Sequence, residues 1–526
     1  MDSHFRRLSA FLVVALTTWN VALAADVPPD WTEVRRVTGL VDDLMESHWS
    51  ANKVQPAPVS RDAAFLRRIW LDLAGKIPRV ATSREFLSGE SPDRRRQLID
   101  RLLASPTYVT SQTDLWQSAL IPEAASDQQL RFLQPSFEAW LRDQLREDVP
   151  YDEFVRELLT TPIRNIQGDP RANREPAPDV FFRGKQLKPE NLAAATARSF
   201  LGVRLECAQC HDHPFDVWKQ EQFWSFAAFF SGVNGENPFA TIQEKRDSRE
   251  IAIPDSKVVA QAAFLNSDEP DWSSGSSREI LTEWIASADN PWFSRMAVNR
   301  MWGHFFGRGF VDPIDDFGAS NPPSHPETLD LLAREFAAHE FDLKFLIRVI
   351  VSTRAYQLTS RQTDPSQTPP EMFARMSVKG LTPRQIFSSL AVALGTFQPF
   401  TVPGQFNDRP AEAEFFNTFS NESDSVLERP TTILQALVMM NGDLMTQGTS
   451  IENSRTLRSV VDYPFFTTEE RIEALYLAAL SRRPTEKEQQ RLLAYVKQSH
   501  TDDEDSKALA DIYWALLNSS EFLFNH

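Results

Sequence analysis

Cysteine is nearly absent from this sequence, with two residues among 526. Two cysteines form at most one disulfide, which excludes the disulfide frameworks that hold many small extracellular domains together. An excess of positive charge is also lacking, because 55 Lys and Arg stand against 72 Asp and Glu. The resulting net charge of −17 argues against nucleic acid as a partner, since such a chain repels a polyanion.

Long apolar runs are also lacking, apart from a short one near the N-terminus. Residues 8–16 form an apolar stretch behind two arginines, but the stretch is shorter than the roughly 20 residues that a transmembrane helix needs. It precedes the small-residue sequence Ala-Leu-Ala at 22–24, which is typical of a signal-peptide cleavage site. We therefore predict a signal peptide over residues 1–24, an exported periplasmic, cell-surface or secreted protein, and no transmembrane span after cleavage.

Large aromatic residues and helical periodicity are abundant in this sequence. It contains 37 Phe and 13 Trp, whose burial supplies apolar area that stabilises a fold. Apolar residues recur every three or four positions, as in Val34, Val37, Val41 and Met45, and this spacing places them on one face of a helix. Because strand-like alternation is scarce, we predict a mainly α fold.

The helical pattern is interrupted once over a long stretch, at residues 236–275. Polar residues, Pro and Ser prevail there, which is the composition of a connector. A short hairpin between Ile251 and Phe264 is weakly indicated. We predict two helical domains joined by an irregular linker with at most a small hairpin. The predicted units are the signal peptide (1–24), a helical domain carrying the cysteines (25–235), the linker (236–275) and a C-terminal helical domain (276–526).

The two cysteines stand three residues apart and are followed by histidine, in Cys207-Ala208-Gln209-Cys210-His211. This spacing is that of c-type haem attachment. Both thiols lie on one helical turn and are placed to form thioethers to the two haem vinyl groups, while the adjacent imidazole ligates the iron. Export agrees with this interpretation, because covalent haem attachment takes place outside the cytoplasm. We predict haem c at Cys207 and Cys210, with His211 as its proximal ligand.

Three other interpretations of these residues stay open. Zinc or iron is an alternative cofactor, with Cys207, Cys210, His211 and His213 as ligands, since all four are of suitable type. The cysteines are also spaced like a redox-active dithiol. With no cofactor at all, they form a small structural disulfide that fixes a turn.

Two residues that follow the cysteines are candidates for tuning the same site. Asp216 and Trp218 are close enough in sequence to contact the ligands from outside the first coordination shell. The competing interpretation, which we favour slightly for Asp216, is that this carboxylate caps a helix over residues 221–230.

Two histidines in the C-terminal half carry different expectations. His304 lies on a helix lined by apolar residues, which is typical of a core histidine with satisfied hydrogen bonds. His325 precedes Pro326 in a loop, where functional residues are common. Ser324 and Glu327 have the spacing of a capping box, which predicts Ser324 as the N-cap of the next helix.

Several long motifs resemble a known family. The segment around the cysteines resembles the planctomycete-type cytochrome-associated domain of unknown function (DUF1549), and the C-terminal half is similar to its usual partner domain (DUF1553). The resemblance implies association with cytochrome modules and no established activity. Either the site at Cys207 is itself the haem site, or this member has no haem. The segments that carry the resemblance are 67–75, 201–218, 290–293, 298–309, 316–317, 323–327 and 514–525.

These observations lead to one principal hypothesis and two alternatives. The principal hypothesis is an exported redox or haem-binding protein that uses its Cys-x-x-Cys-His site and a redox partner or other exported proteins. The first alternative is a non-redox periplasmic binding or scaffold protein with a structural disulfide or metal, active in polymer degradation. The second is a hydrolase that uses paired carboxylates.

Overall fold

A computed structural model describes most of the chain, as residues 30–169, 171–235, 237–266, 268–395, 415–416, 418–419, 433–498 and 501–526. The predicted signal peptide, residues 1–24, lies outside these residues. In the described part of the chain no helix combines the length and the apolar character that crossing a bilayer requires.

The predicted mainly α fold is confirmed, since helices dominate the described residues and the sheets are small. The helices before residue 235 are α1 (Trp31–Ala51), α2 (Asp62–Ala74), α3 (Val80–Ser88), α4 (Arg94–Leu103), α5 (Pro106–Leu120), α6 (Gln128–Arg146), α7 (Tyr151–Thr160), α8 (Val180–Gly184), α9 (Pro189–Thr196) and α10 (Gln220–Ala227). Short 3₁₀ turns occur at Pro122–Ala125, Glu206–Gln209 and Ala228–Phe230, and a π-helical turn at Ala197–Leu201.

The remaining helices follow residue 275. They are α11 (Ser277–Ile285), α12 (Phe293–Phe306), α13 (Pro326–Ala338), α14 (Leu343–Ser352), α15 (Arg354–Gln357), α16 (Pro383–Leu394), α17 (Ile433–Asn441), α18 (Asp443–Gly448), α19 (Arg455–Val461), α20 (Thr468–Leu480), α21 (Glu486–Val496), α22 (Asp502–Leu517) and α23 (Ser520–Leu523). Two further 3₁₀ turns lie at Pro365–Gln367 and Pro370–Met372.

Helix α1 shows how local sequence produces these elements. Asp30 accepts a hydrogen bond from the Thr32 amide and caps the helix N-terminus. Val34, Val37 and the other apolar residues at the predicted spacing are buried along one face. Helical periodicity therefore identified both the element and the side that packs.

Two antiparallel pairs of short strands complete the fold. Strands β1 (Glu250–Ala252) and β2 (Val259–Gln261) form the weakly indicated hairpin, with Ile251 opposite Ala260. Strands β3 (Lys379–Gly380) and β4 (Phe524–Asn525) join the C-terminus to a distant segment. The second pair was not predicted, because two residues are too few to show alternation.

The buried apolar residues form two clusters. The larger runs from α1 to Met376 and includes helices from both sides of residues 236–275. The smaller runs from Leu381 to the C-terminus and takes in Leu71 and Ile77. The segment predicted as a linker contributes buried Ile253 and Leu265 to the larger cluster. Helices of the two predicted domains therefore share one core, and the irregular segment is packed against it.

The start of α13 differs from the prediction. The capping box predicted Ser324 as the N-cap, but the helix begins at Pro326 and His325 occupies the N-cap position. Proline favours the first helical position for two reasons. Its fixed φ suits the helix, and an N–H at that position would have no acceptor within the helix. That preference moves the helix start one residue beyond the position that the capping box indicates.

Candidate functional site

The cysteine motif follows a turn that packs closely against a loop of the C-terminal half. Helix α9 continues through the π-helical turn and ends at Gly202, which has a φ of +69°. A Cβ on Gly202 would lie 2.4 Å from the ring of Phe317, so only glycine fits. The Phe317 amide donates to the Gly202 carbonyl at 2.8 Å. The backbone before the motif is therefore fixed.

Two arginines that precede the cysteines strengthen the same contact. Arg198 and Arg204 both form ion pairs with Asp315, and Arg204 Nη2 lies 2.6 Å from Asp315 Oδ1. Burial alone raises the pKa of Asp315, but hydrogen bonds from the two arginines outweigh it and hold that pKa below its ordinary value. The loop that carries Asp315 is thus bound to the motif segment by charge as well as by packing.

The two thiols lie on the protein surface. Cys207 is within the 3₁₀ turn Glu206–Gln209 and Cys210 is its C-cap, and both are exposed and free. In a 3₁₀ turn the side chains at positions i and i+3 eclipse, so the cysteines share one side of the turn. Ala208 between them is buried. Because cysteine is among the residues most often buried, two exposed thiols are an unusual use of this side chain.

The two histidines of the motif segment have different tautomers. His211 is exposed, and its Nδ1 lies 2.8 Å from the Asp212 carbonyl, so Nδ1 donates and the lone pair is on Nε2. His213 Nδ1 instead accepts from the Phe215 amide at 3.3 Å, which places the proton on Nε2. His211 is therefore in the form in which Nε2 ligates a metal, whereas His213 uses its lone pair within its own loop.

The four predicted metal ligands are near one another in sequence. Across the described ranges, however, no three His, Cys, Asp or Glu side chains are grouped so that they would hold a metal ion. The local reason at His213 is its hydrogen bond to Phe215, which occupies the lone pair that a metal would take. The haem interpretation needs only His211 as a histidine ligand. The zinc or iron interpretation needs His213 as well, so the hydrogen bond at His213 bears on that interpretation alone.

Asp216 does not cap the helix that follows, and that part of the prediction is wrong. Helix α10 begins at Gln220, and its first-turn amide is bonded by Asp212, at 3.1 Å. Asp212 also accepts from Lys219 Nζ at 2.9 Å, and these two hydrogen bonds lower its pKa. Asp216 accepts from the Val217 amide. This Asp212 contact was not predicted, because its partner amide lies eight residues away, beyond the usual spacing of a helix cap.

Side chains from α10 and the loop before it hold the motif's backbone. Gln220 Nε2 donates to the Cys210 carbonyl at 2.9 Å, and Trp224 Nε1 donates to the Gln209 carbonyl at 3.0 Å. Trp218 is buried, and its carbonyl accepts from the His213 amide at 2.8 Å. Trp218 thus packs in the core and anchors the loop that follows the cysteines.

Two large apolar side chains of the motif segment are exposed. Phe215 is 82% exposed and Val217 is 66% exposed, and both follow the motif closely in sequence. Exposing two large apolar side chains next to each other costs free energy unless something covers them. The motif segment therefore exposes two free thiols, an imidazole and two apolar side chains.

A second group of side chains brings three of the resembling segments together in the interior. We call it the Asp72 cluster, and it consists of Asp72, His304, Tyr356, Lys379 and Asn525. Asp72 is 2% exposed and accepts from Lys379 Nζ at 2.7 Å, Asn525 Nδ2 at 2.7 Å and Tyr356 Oη at 2.8 Å. His304 Nε2 donates to the Asp72 carbonyl at 3.0 Å, which confirms the expectation that this histidine has a satisfied hydrogen bond.

Burial shifts the pKa of several groups in the Asp72 cluster. It lowers the pKa of Lys379 and that of His304, the latter with a further contribution from the Lys379 charge. Burial and the neighbouring Asp72 raise the pKa of Tyr356 well above its ordinary value. Lys379 also donates to two carbonyls at the end of α12, at 3.0 and 2.7 Å. The cluster therefore joins α2, α12, α15, β3 and β4, and these contacts stabilise the packing of the five elements.

Comparison with known families agrees with the resemblance seen in the sequence. Residues 40–235 match PSCyt2, described as a protein of unknown function (DUF1549). Residues 277–409 and 400–496 match PSD1, described as a protein of unknown function (DUF1553). No curated protein and no solved structure matches the chain. The chain thus belongs to the proteins in which a DUF1549 domain precedes a DUF1553 domain.

Proposed function

We propose that this chain is an exported redox protein that carries haem c covalently at Cys207 and Cys210, with His211 as an axial ligand. The observation that carries the proposal is the pair of exposed, free thiols on one side of a single turn, followed by an exposed imidazole. Thioether formation needs both thiols reduced and accessible. The predicted signal peptide supports the proposal, because it directs the chain to the compartment where haem is attached.

The residue types around the motif suit a haem in their chemistry. Haem bound here supplies a one-electron redox couple whose potential depends on its ligands and exposure. His211 donates through Nδ1 to the Asp212 carbonyl, which leaves the Nε2 lone pair for the iron. Phe215 and Val217 offer apolar contact to a flat, apolar ring. Trp218, Gln220 and Asp216 are not ligands in this proposal. They hold the loop and its backbone in place.

The haem interpretation is favoured over a four-ligand metal site by His213. Its Nδ1 lone pair accepts from the Phe215 amide, and a metal would have to displace that bond. Haem attachment requires no contribution from His213. A His213 substitution therefore distinguishes the two interpretations. It removes a ligand of zinc or iron bound at Cys207, Cys210, His211 and His213, but it removes no ligand of haem.

The test is a pyridine haemochrome assay on the chain expressed in a host with working cytochrome c maturation. We expect a Soret band that survives acid–acetone extraction and is lost in the Cys207→Ser, Cys210→Ser double variant. His211→Ala should alter the band, whereas the matched His213→Ala variant should keep the wild-type spectrum.

The other outcomes replace the proposal. Colourless protein with stoichiometric zinc or iron, lost equally in His211→Ala and His213→Ala, would assign the four residues to a metal site. Protein that is both colourless and metal-free would favour the non-redox binding or scaffold protein, with a disulfide as the role of the cysteines. Mass spectrometry before and after reduction would then measure that disulfide.

A further inference from the structure

Two histidines from distant parts of the chain meet between α1 and α13. His48 lies near the end of α1, and His325 is the N-cap of α13. Their ring centroids are 3.9 Å apart and the ring planes are inclined at 38°. At this separation the rings are in van der Waals contact, so no water or ion fits between them. The contact joins the DUF1549 half of the chain to the DUF1553 half.

The surroundings of His325 disfavour a positive charge on its ring. His325 is 2% exposed, its Nδ1 lies 3.1 Å from the Ser324 hydroxyl, and its Nε2 has no hydrogen-bond partner in the described part of the chain. The rings of Phe310 and Phe373 have centroids 5.9 and 5.4 Å from that of His325. Burial, with a further contribution from the charge of His48, lowers the pKa of His325 to about 3. The closed contact therefore keeps His325 neutral.

The charged side chains on the neighbouring elements form ion pairs with one another or are exposed, and do not compensate a charge on His325. The ion pairs are Arg354–Glu46, Arg295–Asp330, Arg308–Asp312 and Arg308–Glu371, and the exposed side chains are those of Asp43, Lys53 and Glu327. His48 is the titratable neighbour that acts on His325, and it opposes protonation.

The other end of the same interface has the opposite arrangement. His339 is the C-cap of α13, and its ring nitrogens lie 3.8 Å from the carboxylates of Glu33 on α1 and Glu335 on α13. A protonated imidazole is attracted by such carboxylates. Protonation of His339 therefore adds an attraction between the two helices, whereas protonation of His325 places a charge in an apolar contact.

The loop that holds the cysteine motif ends at His325. This loop, residues 307–325, connects α12 to α13 and carries Asp315, which pairs with the two arginines that precede the cysteines. The Ser324 amide donates to the Phe310 carbonyl at 2.8 Å and ties the two ends of the loop together. A displacement of His325 therefore acts on the loop that positions the motif.

We propose that the His48–His325 contact is an acid-sensitive joint between the two halves of the chain. Uptake of a proton by His325 separates the two rings, because the charged imidazole must reach solvent, and it loosens the loop over residues 307–325. In acid the cysteine motif thereby loses part of its support. The joint is a property of the haem-free chain, and only its effect on haem rests on the proposed function.

The test is hydrogen–deuterium exchange of the full chain expressed without haem, measured by mass spectrometry at pH 7.5 and 5.5 and corrected for the intrinsic pH dependence of amide exchange. A freed imidazole takes up its proton near pH 6.5, so the opening equilibrium constant should rise about 10-fold between these pH values. We expect the rise in residues 310–330 and an accompanying rise in residues 198–206. Helix α20, which packs in the smaller apolar cluster, is the internal reference and should not respond.

Two matched variants identify the titrating group. His325→Gln keeps a polar side chain that does not titrate, and the rise should be lost. His339→Gln removes the histidine at the other end of the same interface and should keep the wild-type rise.

The wild-type chain alone can overturn the proposal, by showing no rise or a rise that α20 shares equally, which would indicate global unfolding. A rise that persists in His325→Gln would also overturn it, because another group would then be responsible. A rise confined to residues 310–330 would overturn the coupling to the cysteine motif. Haem content is measured separately, so a failure of haem attachment leaves this result unchanged.

Discussion

The Cys-x-x-Cys-His loop and the Asp72 cluster both carry motifs of the same family, yet their surroundings are opposite. In the loop the thiols and His211 are exposed and the ion pair of Lys219 with Asp212 faces solvent. In the Asp72 cluster the charges are buried and each oxygen of Asp72 accepts at least one hydrogen bond. Motifs of one family thus lie in opposite surroundings, one open to solvent and one buried and paired.

The largest effect is expected from breaking the buried ion pair. Lys379→Met removes the charge that lies 2.7 Å from Asp72 and leaves a carboxylate buried without its partner. Such losses typically cost about 3–5 kcal/mol of unfolding free energy. Urea denaturation of the purified chain measures this loss of unfolding free energy. The matched control, Lys219→Met, breaks an exposed pair with Asp212 and should leave the denaturation midpoint unchanged within error. Equal losses in both variants would contradict the comparison.

A smaller effect is expected from acid, through His304. Burial lowers the pKa of His304 in the folded chain, whereas in the unfolded chain the imidazole takes up a proton near pH 6.5. The unfolded state therefore binds more protons below that pH, and the fold loses up to about 1.4 kcal/mol of unfolding free energy per pH unit from this residue. Urea denaturation between pH 7.5 and 5 measures the slope. His304→Gln should flatten it, and an unchanged slope would assign the acid sensitivity to other groups.

The smallest effect on stability is expected at the cysteines. Since both thiols are exposed and free, Cys207→Ser with Cys210→Ser should change the unfolding free energy by no more than about 0.5 kcal/mol in chain expressed without haem. The same denaturation assay measures it. A loss of several kcal/mol would mean that the pair forms a structural disulfide in solution. Stability and haem content should therefore respond to different substitutions in the two regions.

Sequence reasoning succeeded where the signal is local. The spacing of Val34, Val37 and Val41 identified α1 and its buried face, and the weak hairpin signal identified β1 and β2. It failed at Ser324, where two local preferences compete and Pro326 prevails. The family motifs were also recognised from sequence alone, since recognition needs only residue types at fixed separations.

What sequence could not supply is which distant residues meet. Tyr356 and Lys379 carry no motif, yet they complete the Asp72 cluster with residues from both ends of the chain. The contact of His48 with His325 likewise depends on how α1 packs against α13. The two cysteines were found at once, but only the fold made them exposed.

The sequence by itself determined the helices, their apolar faces and the Cys-x-x-Cys-His spacing, because all of these depend on residues within a few turns of one another. The tertiary structure decided that Asp72 is buried and paired, that Cys207 and Cys210 face solvent, and that His48 meets His325. Burial and pairing depend on packing between elements that are far apart in the chain, and the free energies that set them arise only when those elements come together.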